Sequence, residues 1–167
     1  MITITYYFTQ LEDDIQTLYK QMNIRNPYEI TLENIAQKLD IELYFRAITS
    51  RAIIIDKKPI IILDNREPHY KQREKFSHEI GHILKHSGNQ LLMPEPFRLY
   101  QEWKAKNFMY HFAVPTFMLN NLKQHDLNEH FISENFNVSK EFARTRIDQY
   151  KNKAYFSKNR TTEVINL

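Results

Sequence analysis

Five consecutive residues, His78-Glu79-Ile80-Gly81-His82, constrain this chain more than any other stretch. They lie inside KFSHEIGHILKHSG, where Phe76, Ile80, Ile83 and Leu84 recur at helical spacing and form an apolar arc. On an α-helix, positions i and i+4 share a face, so the imidazoles of His78 and His82 can address one metal ion. Glu79 is rotated by about 100° from His78, which places it badly as a ligand and well as a contact to a metal-bound water. Zinc lowers the pKa of such a water to about 7, and a carboxylate can take its proton as it attacks a carbonyl. H-E-x-x-H on a helix is thus the pattern of a zinc peptidase, the competing reading being a solvated face with two unrelated histidines. Gly81 costs about 1 kcal/mol relative to alanine inside a helix, so its presence predicts a close neighbour.

The rest of the composition narrows the chemistry. The 167 residues include no cysteine, so a Zn2+ ion here must be held by histidine and carboxylate. The opening MITITYYFTQ has no basic leader followed by an apolar stretch, and no apolar run approaches the roughly 20 residues that span a bilayer. The expectation is a cytoplasmic protein with no membrane segment. A net charge of +3 is modest and demands no nucleic-acid partner.

The hydrophobic periods predict an α+β fold: a small three-stranded sheet packed on helices, including the long zinc helix, with a mostly helical C-terminal third. Helices are expected over 9–24, with Thr9 as N-cap, and over a short segment from Thr31. IELYFRAI, RAIIID and PIIILD read as strands, the last two as a hairpin. Their isoleucine runs suggest burial on both faces, and an edge strand here could pair with an extended peptide. The metal helix is expected from about Glu67 to His86, capped by Asp64 or Asn65 and stopped by Ser87-Gly88-Asn89. A loop at 90–96 then leads to a helix from about Phe97 to Phe112. Further helices are expected over 116–122, 126–135 and 139–152. The domain reading is a metallopeptidase core over 1–122, a helical region over 123–153, and a tail over 154–167 expected to be partly disordered.

A catalytic zinc takes three protein ligands, and the third must come from elsewhere. Glu102 is preferred, because Ala105 and Met109 follow it on the same side of a helix and a small residue there allows close approach. Glu95, beside two prolines, is the runner-up. His86 continues the i+4 series but lies about 12 Å along the axis from His78. Tyr110 and His111 are candidates for stabilising an oxyanion, against a purely structural role. His69, Tyr70, His125 and His130 read as solvated. In the C-terminal helices, Phe131, Phe136, Val138, Phe142 and Ile147 could form a small core. A helix-turn-helix there would turn Lys140, Arg144 and Arg146 toward DNA, the other options being a docked protein partner or plain packing.

With HEIGH, Glu102, Ala105, Phe108 and Pro115 in these places, the chain resembles the ImmA/IrrE family of zinc metallopeptidases over about residues 28 to 140. The resemblance implies His78, His82 and Glu102 as ligands, a gluzincin-like set, and Glu79 as general base. It also implies a substrate class: a helix-turn-helix transcriptional repressor of a phage or mobile element, cleaved at a specific site by an antirepressor. Lys104, Lys106 and Met109 depart from the family pattern, as does His111-Phe112-Ala113-Val114 before the proline; these positions bear on packing and substrate fit. The alternative is a non-proteolytic, zinc-stabilised regulatory module that binds a repressor or DNA.

Overall fold

A computed structural model of the protein describes residues 6–85 and 94–165. Helix α1 (Gln10–Gln21) opens with a capping box. The Thr9 hydroxyl accepts from the Glu12 amide at 3.3 Å, and the Glu12 carboxylate accepts from the Thr9 amide at 2.8 Å. The helix ends earlier than its apolar stripe suggests, and Asn23 turns the chain at φ 55°. A 3₁₀ turn (Pro27–Glu29) leads to α2 (Leu32–Lys38), capped by Thr31 on the Asn34 amide.

Strands β1 (Glu42–Arg46), β2 (Arg51–Ile55) and β3 (Lys58–Asp64) form one sheet in the order β1-β3-β2. β1 runs parallel to β3, and β2 and β3 form the expected antiparallel hairpin. Ile61 and Leu63 of β3, in the middle of the sheet, are fully buried. The isoleucines of β2 do not follow the expectation of burial on both faces, since Ile54 is 60% and Ile55 53% exposed. The reason is position: β2 is an edge strand, paired only with β3.

Helix α3 (His69–Lys85) starts two residues later than predicted. Asp64 does not cap it, because its carboxylate is taken by Arg66 at 2.6–2.8 Å; the Pro68 carbonyl instead accepts from Lys71 and Gln72. Phe76 and Ile80 are fully buried, whereas Leu84, at the end of the predicted arc, is 43% exposed. His86 and the Ser87-Gly88-Asn89 stop lie outside the described residues. Helix α4 (Glu95–Ala113) packs along α3, and α5 (Thr116–Leu119) follows Pro115. Helix α6 (Glu129–Phe136) ends on Asn137 in the left-handed conformation. Helix α7 spans Lys140–Ile165, well past the boundary at Ala154 where order was expected to fade. No glycine or proline interrupts 140–165, so nothing in the sequence forces the helix to stop.

The core runs from Ile15 and Tyr19 through Ile35, Ile61, Phe76 and Phe112 to Phe136 and Ile147. At its far side, Glu12 is buried in a polar cluster that joins α1, α5 and α7. It accepts from Tyr6 (2.6 Å), from Thr116 (2.6 Å) and from Lys153. Arg146, fully buried, donates to the Thr116 hydroxyl (2.7 Å) and the Val114 carbonyl (3.0 Å). Of the options for the C-terminal helices, this rules out Arg146 as a DNA contact and agrees with plain packing: an apolar-stripe position of α7 carries a guanidinium that is spent within the protein. Arg144 pairs with Glu129 at 2.8 Å, and Lys140 is exposed. Phe136, Val138, Phe142 and Ile147 are buried as expected, with Phe131 only partly so. No described helix is long and apolar enough to cross a membrane.

Candidate metal centre

The first turn-to-turn pair on α3 supplies two nitrogen donors. His78 Nε2 and His82 Nε2 lie 3.0 Å apart, their rings nearly perpendicular. Glu102, on α4, brings one carboxylate oxygen to 3.3 Å from each: Oε2 from His78 and Oε1 from His82. Among the described residues this is the group of side chains whose donor atoms converge as metal ligands do, all within 4.8 Å. The set is two imidazoles and one carboxylate, the donor chemistry of catalytic rather than sulfur-rich structural zinc sites. The histidine side chains are 21% and 14% exposed and Glu102 is 46% exposed, so the cluster opens to solvent on the α4 side. Glu95 does not join it; it is the first residue of α4, seven residues before Glu102, and exposed.

What brings Glu102 into reach is the contact between the two helices. A Cβ built on Gly81 would lie 3.0 Å from Phe108 Cδ1 and 3.3 Å from both Cα and the carbonyl oxygen of Ala105. Gly81 therefore lets the α4 backbone lie directly on α3, and Ala105 is one turn from Glu102.

Glu79, between the two histidines in sequence, is 9% exposed, and its Oε2 accepts from the Ala52 amide of β2 at 2.9 Å. Burial pushes its carboxyl up, the Ala52 N–H pulls it down, and the negative Glu102 pushes it up again, to about 7. That is the range in which a carboxylate can both accept and return a proton near neutrality. The Ala52 contact was not legible in the sequence. Its only sequence signal is that β2 is a short apolar strand between the β1 region and the metal helix.

The other sequence candidates have partners elsewhere. His111 Nδ1 lies 3.0 Å from the Asn107 carbonyl oxygen, its Nε2 is 3.9 Å from Glu12, and burial followed by the Arg146 charge lowers its pKa to about 4. Tyr110 packs against Phe142 with ring centroids 4.5 Å apart. His125 and His130 sit beside Asp126 and Glu134 on the surface, and His69 and Tyr70 are exposed. One residue went unremarked in the sequence: Arg73 of α3, only 1% exposed, donates to the Ala113 carbonyl at 3.3 Å. Its signal was a charge three and seven residues before Phe76 and Ile80, inside the apolar arc.

Comparison with known proteins agrees with this architecture. Residues 36–148 match the peptidase M78 family, described as the IrrE N-terminal-like domain. The chain is 37% identical over 148 residues to the phage-like element PBSX protein XkdA of Bacillus subtilis (strain 168), covering 87% of this chain and 75% of the relative. It is 39% identical over 152 residues to the uncharacterized protein YqaB of the same organism, covering 89% and 88%. Among solved structures, a Mycobacterium tuberculosis transcriptional regulator superposes with a TM-score of 0.58 over 82% of this chain and 46% of that one. At 13% identity that likeness speaks for the fold alone. The family match across more than half the chain, with the two Bacillus relatives, places this protein in the ImmA/IrrE family of metallopeptidases, with an IrrE N-terminal-like domain.

Proposed function

We propose that the protein is a zinc-dependent endopeptidase in which His78, His82 and Glu102 hold the metal and Glu79 acts as general base. The observation that carries this reading is the placement of a buried, proton-accepting Glu79 between a converging His-His-Glu donor set and the edge of a β-sheet. Zinc, when bound, lowers the pKa of its water to about 7 and polarises the scissile carbonyl. Glu79 takes the proton of the attacking water and delivers it to the leaving amine, and the Ala52 N–H holds its carboxylate in orientation. The β2 edge receives the substrate. Ala52 directs its N–H away from β3, so by the two-residue period of a strand Ile54 does the same. An extended peptide can add to that edge through main-chain hydrogen bonds.

The substrate is a protein, and the reading favoured by the family and by the phage-element relative is a helix-turn-helix repressor of a phage or mobile element, cleaved at a defined site in the cytoplasm. The test is to incubate the purified, zinc-loaded protein with the repressor encoded beside it and to follow cleavage by mass spectrometry. A single cut by wild type, none by Glu79→Gln with zinc content unchanged, and zinc loss in Glu102→Ala are expected. A Glu79→Gln variant that still relieved repression would leave a non-proteolytic regulator as the surviving reading.

A further inference from the structure

Helix α4 is apolar on two sides, and only one of them is buried. Ala105, Phe108 and Phe112 face the core, whereas Leu99 (62% exposed), Tyr100 (52%) and Trp103 (63%) lie in solvent. A solvated helix face is ordinarily polar, and large exposed apolar patches mark interaction surfaces. The rings are held in place. Tyr100 and Trp103 stack with centroids 6.3 Å apart, and Lys104 Nζ sits 4.5 Å from the centre of the Tyr100 ring. Side chains ordered in advance lose little freedom on binding, and tryptophan and tyrosine are the residue types that most often dominate an interface.

This face adjoins the metal centre. At about 100° per residue, the His78 and His82 side of α3 lies midway between Glu79, which meets β2, and Gly81, which meets α4. A polypeptide that crosses the donor set from the β2 edge therefore comes next to α4. There Leu99 stands one turn before Glu102 and Lys106 one turn after it, with Trp103 on the outer flank of the same stretch. Arg98, Lys104 and Lys106 are exposed around the rings, and none of the three forms an ion pair among the described residues.

We infer that this face of α4 is a docking surface for the substrate protein, separate from the bond that is cut. It takes an apolar patch flanked by carboxylates, the apolar part against Leu99 and Trp103 and the acids against Lys104 and Lys106. Unpaired cations around an apolar centre select a partner of that charge pattern and speed its approach. The identity of the partner rests on the peptidase reading above.

Trp103 is the only tryptophan of the chain, so a label on that residue type reports on this face alone. The probe is the repressor encoded beside the protein, added to zinc-loaded Glu79→Gln labelled with fluorotryptophan, a variant that holds the substrate uncut. The single ¹⁹F resonance should shift as the ring leaves water. Trp103→Ser should weaken repressor binding about tenfold or more, the scale of an interface hot spot, and Lys104→Glu with Lys106→Glu should weaken it several-fold. The labelled protein keeps its native side chains, so it gives a reading whatever the variants do. A repressor left whole by wild type while the resonance shifts would sink the peptidase reading and keep the docking surface. Cleavage with an unmoved resonance, or cleavage by Trp103→Ser at wild-type kcat/KM, would do the reverse. A resonance that the repressor never moves, one that a single-stranded oligonucleotide moves equally, or one that shifts with protein concentration alone would each overturn the assignment.

Discussion

Gly81 and Ala105 touch backbone to backbone: a methyl group on the glycine would sit 3.3 Å from the alanine Cα. This contact sets how far Glu102 reaches toward the two histidines. In Gly81→Ala the helix gains about 1 kcal/mol of intrinsic propensity, but the added carbon meets α4 backbone, which cannot rotate away, and overpacking costs about 1–3 kcal/mol. The second effect wins. The variant should fold with a slightly lower Tm and bind zinc at least roughly tenfold more weakly, because misplaced ligands cost metal affinity on that scale; competition with a chromogenic chelator measures it. Unchanged affinity would mean that α4 slides without moving Glu102.

Arg146 should be among the least replaceable residues outside the metal centre. Arg146→Met keeps most of the side-chain volume but leaves Thr116, the Val114 carbonyl and Glu12 short of a donor or a counter-charge. Breaking a buried pair on one side costs about 3–5 kcal/mol. The urea midpoint should fall accordingly, while Arg144→Met, which loses only an exposed pair with Glu129, should cost less than about 1 kcal/mol.

Acid should loosen the same cluster before it reaches ordinary carboxylates. Burial, then the Arg146 charge, depresses His111 from 6.5 to about 4, so the unfolded chain takes up a proton there that the folded protein refuses. Burial alone would raise Glu12, yet hydrogen bonds from Lys153, Thr116 and Tyr6 outweigh it and hold it at about 2, below its ordinary 4.5. Both groups bind more protons unfolded than folded, so both make stability fall as pH falls. The His111 contribution is present above pH 6.5 and lost by about 4; that of Glu12 is present above 4.5 and lost toward 2. Each is worth on the order of 3 kcal/mol. Urea titrations between pH 7 and 4 should show the decline, and His111→Phe should flatten it; an equally steep decline in that variant would place its origin elsewhere.

The exposed end of β2 offers a separable test of substrate binding. Ile54 and Ile55 contribute nothing to the core, so Ile54→Lys should leave Tm within about a degree. If the β2 edge receives the peptide, the same change should raise KM for a repressor-derived peptide several-fold with little effect on kcat. A variant cleaving with wild-type KM would remove β2 from the binding surface.

The convergence of His78, His82 and Glu102 was legible because its determinants are local. His78, Glu79 and His82 lie within one turn, Gly81 announces a close neighbour, and Glu102 and Ala105 share a helix face. The hairpin and the caps at Thr9 and Thr31 were readable for the same reason. What escaped was set by distant partners. The Ala52 N–H meets Glu79 across 27 positions, and Glu12 meets Thr116 across 104. Arginine on a helix reads as surface until something shows it inside, so Arg146 was named only as a DNA contact within the helix-turn-helix option, and Arg73 was not named at all. The isoleucines of β2 misled in the opposite sense, since residue type announces a strand but not whether it lies at the sheet's edge.

The bond from Lys153 to Glu12 spans 141 positions, and Arg146 meets Thr116 across 30. Contacts of such separation form late, because the intervening chain must first be closed into a loop. The two helices that carry His78, His82 and Glu102 are therefore complete in sequence well before α7 can seal the other side of the core. On a growing polypeptide, α3 and α4 are made while Glu12 still waits for its cations. A chain cut short before α7 would carry His78, His82 and Glu102 on helices whose core is still open on the side of Glu12.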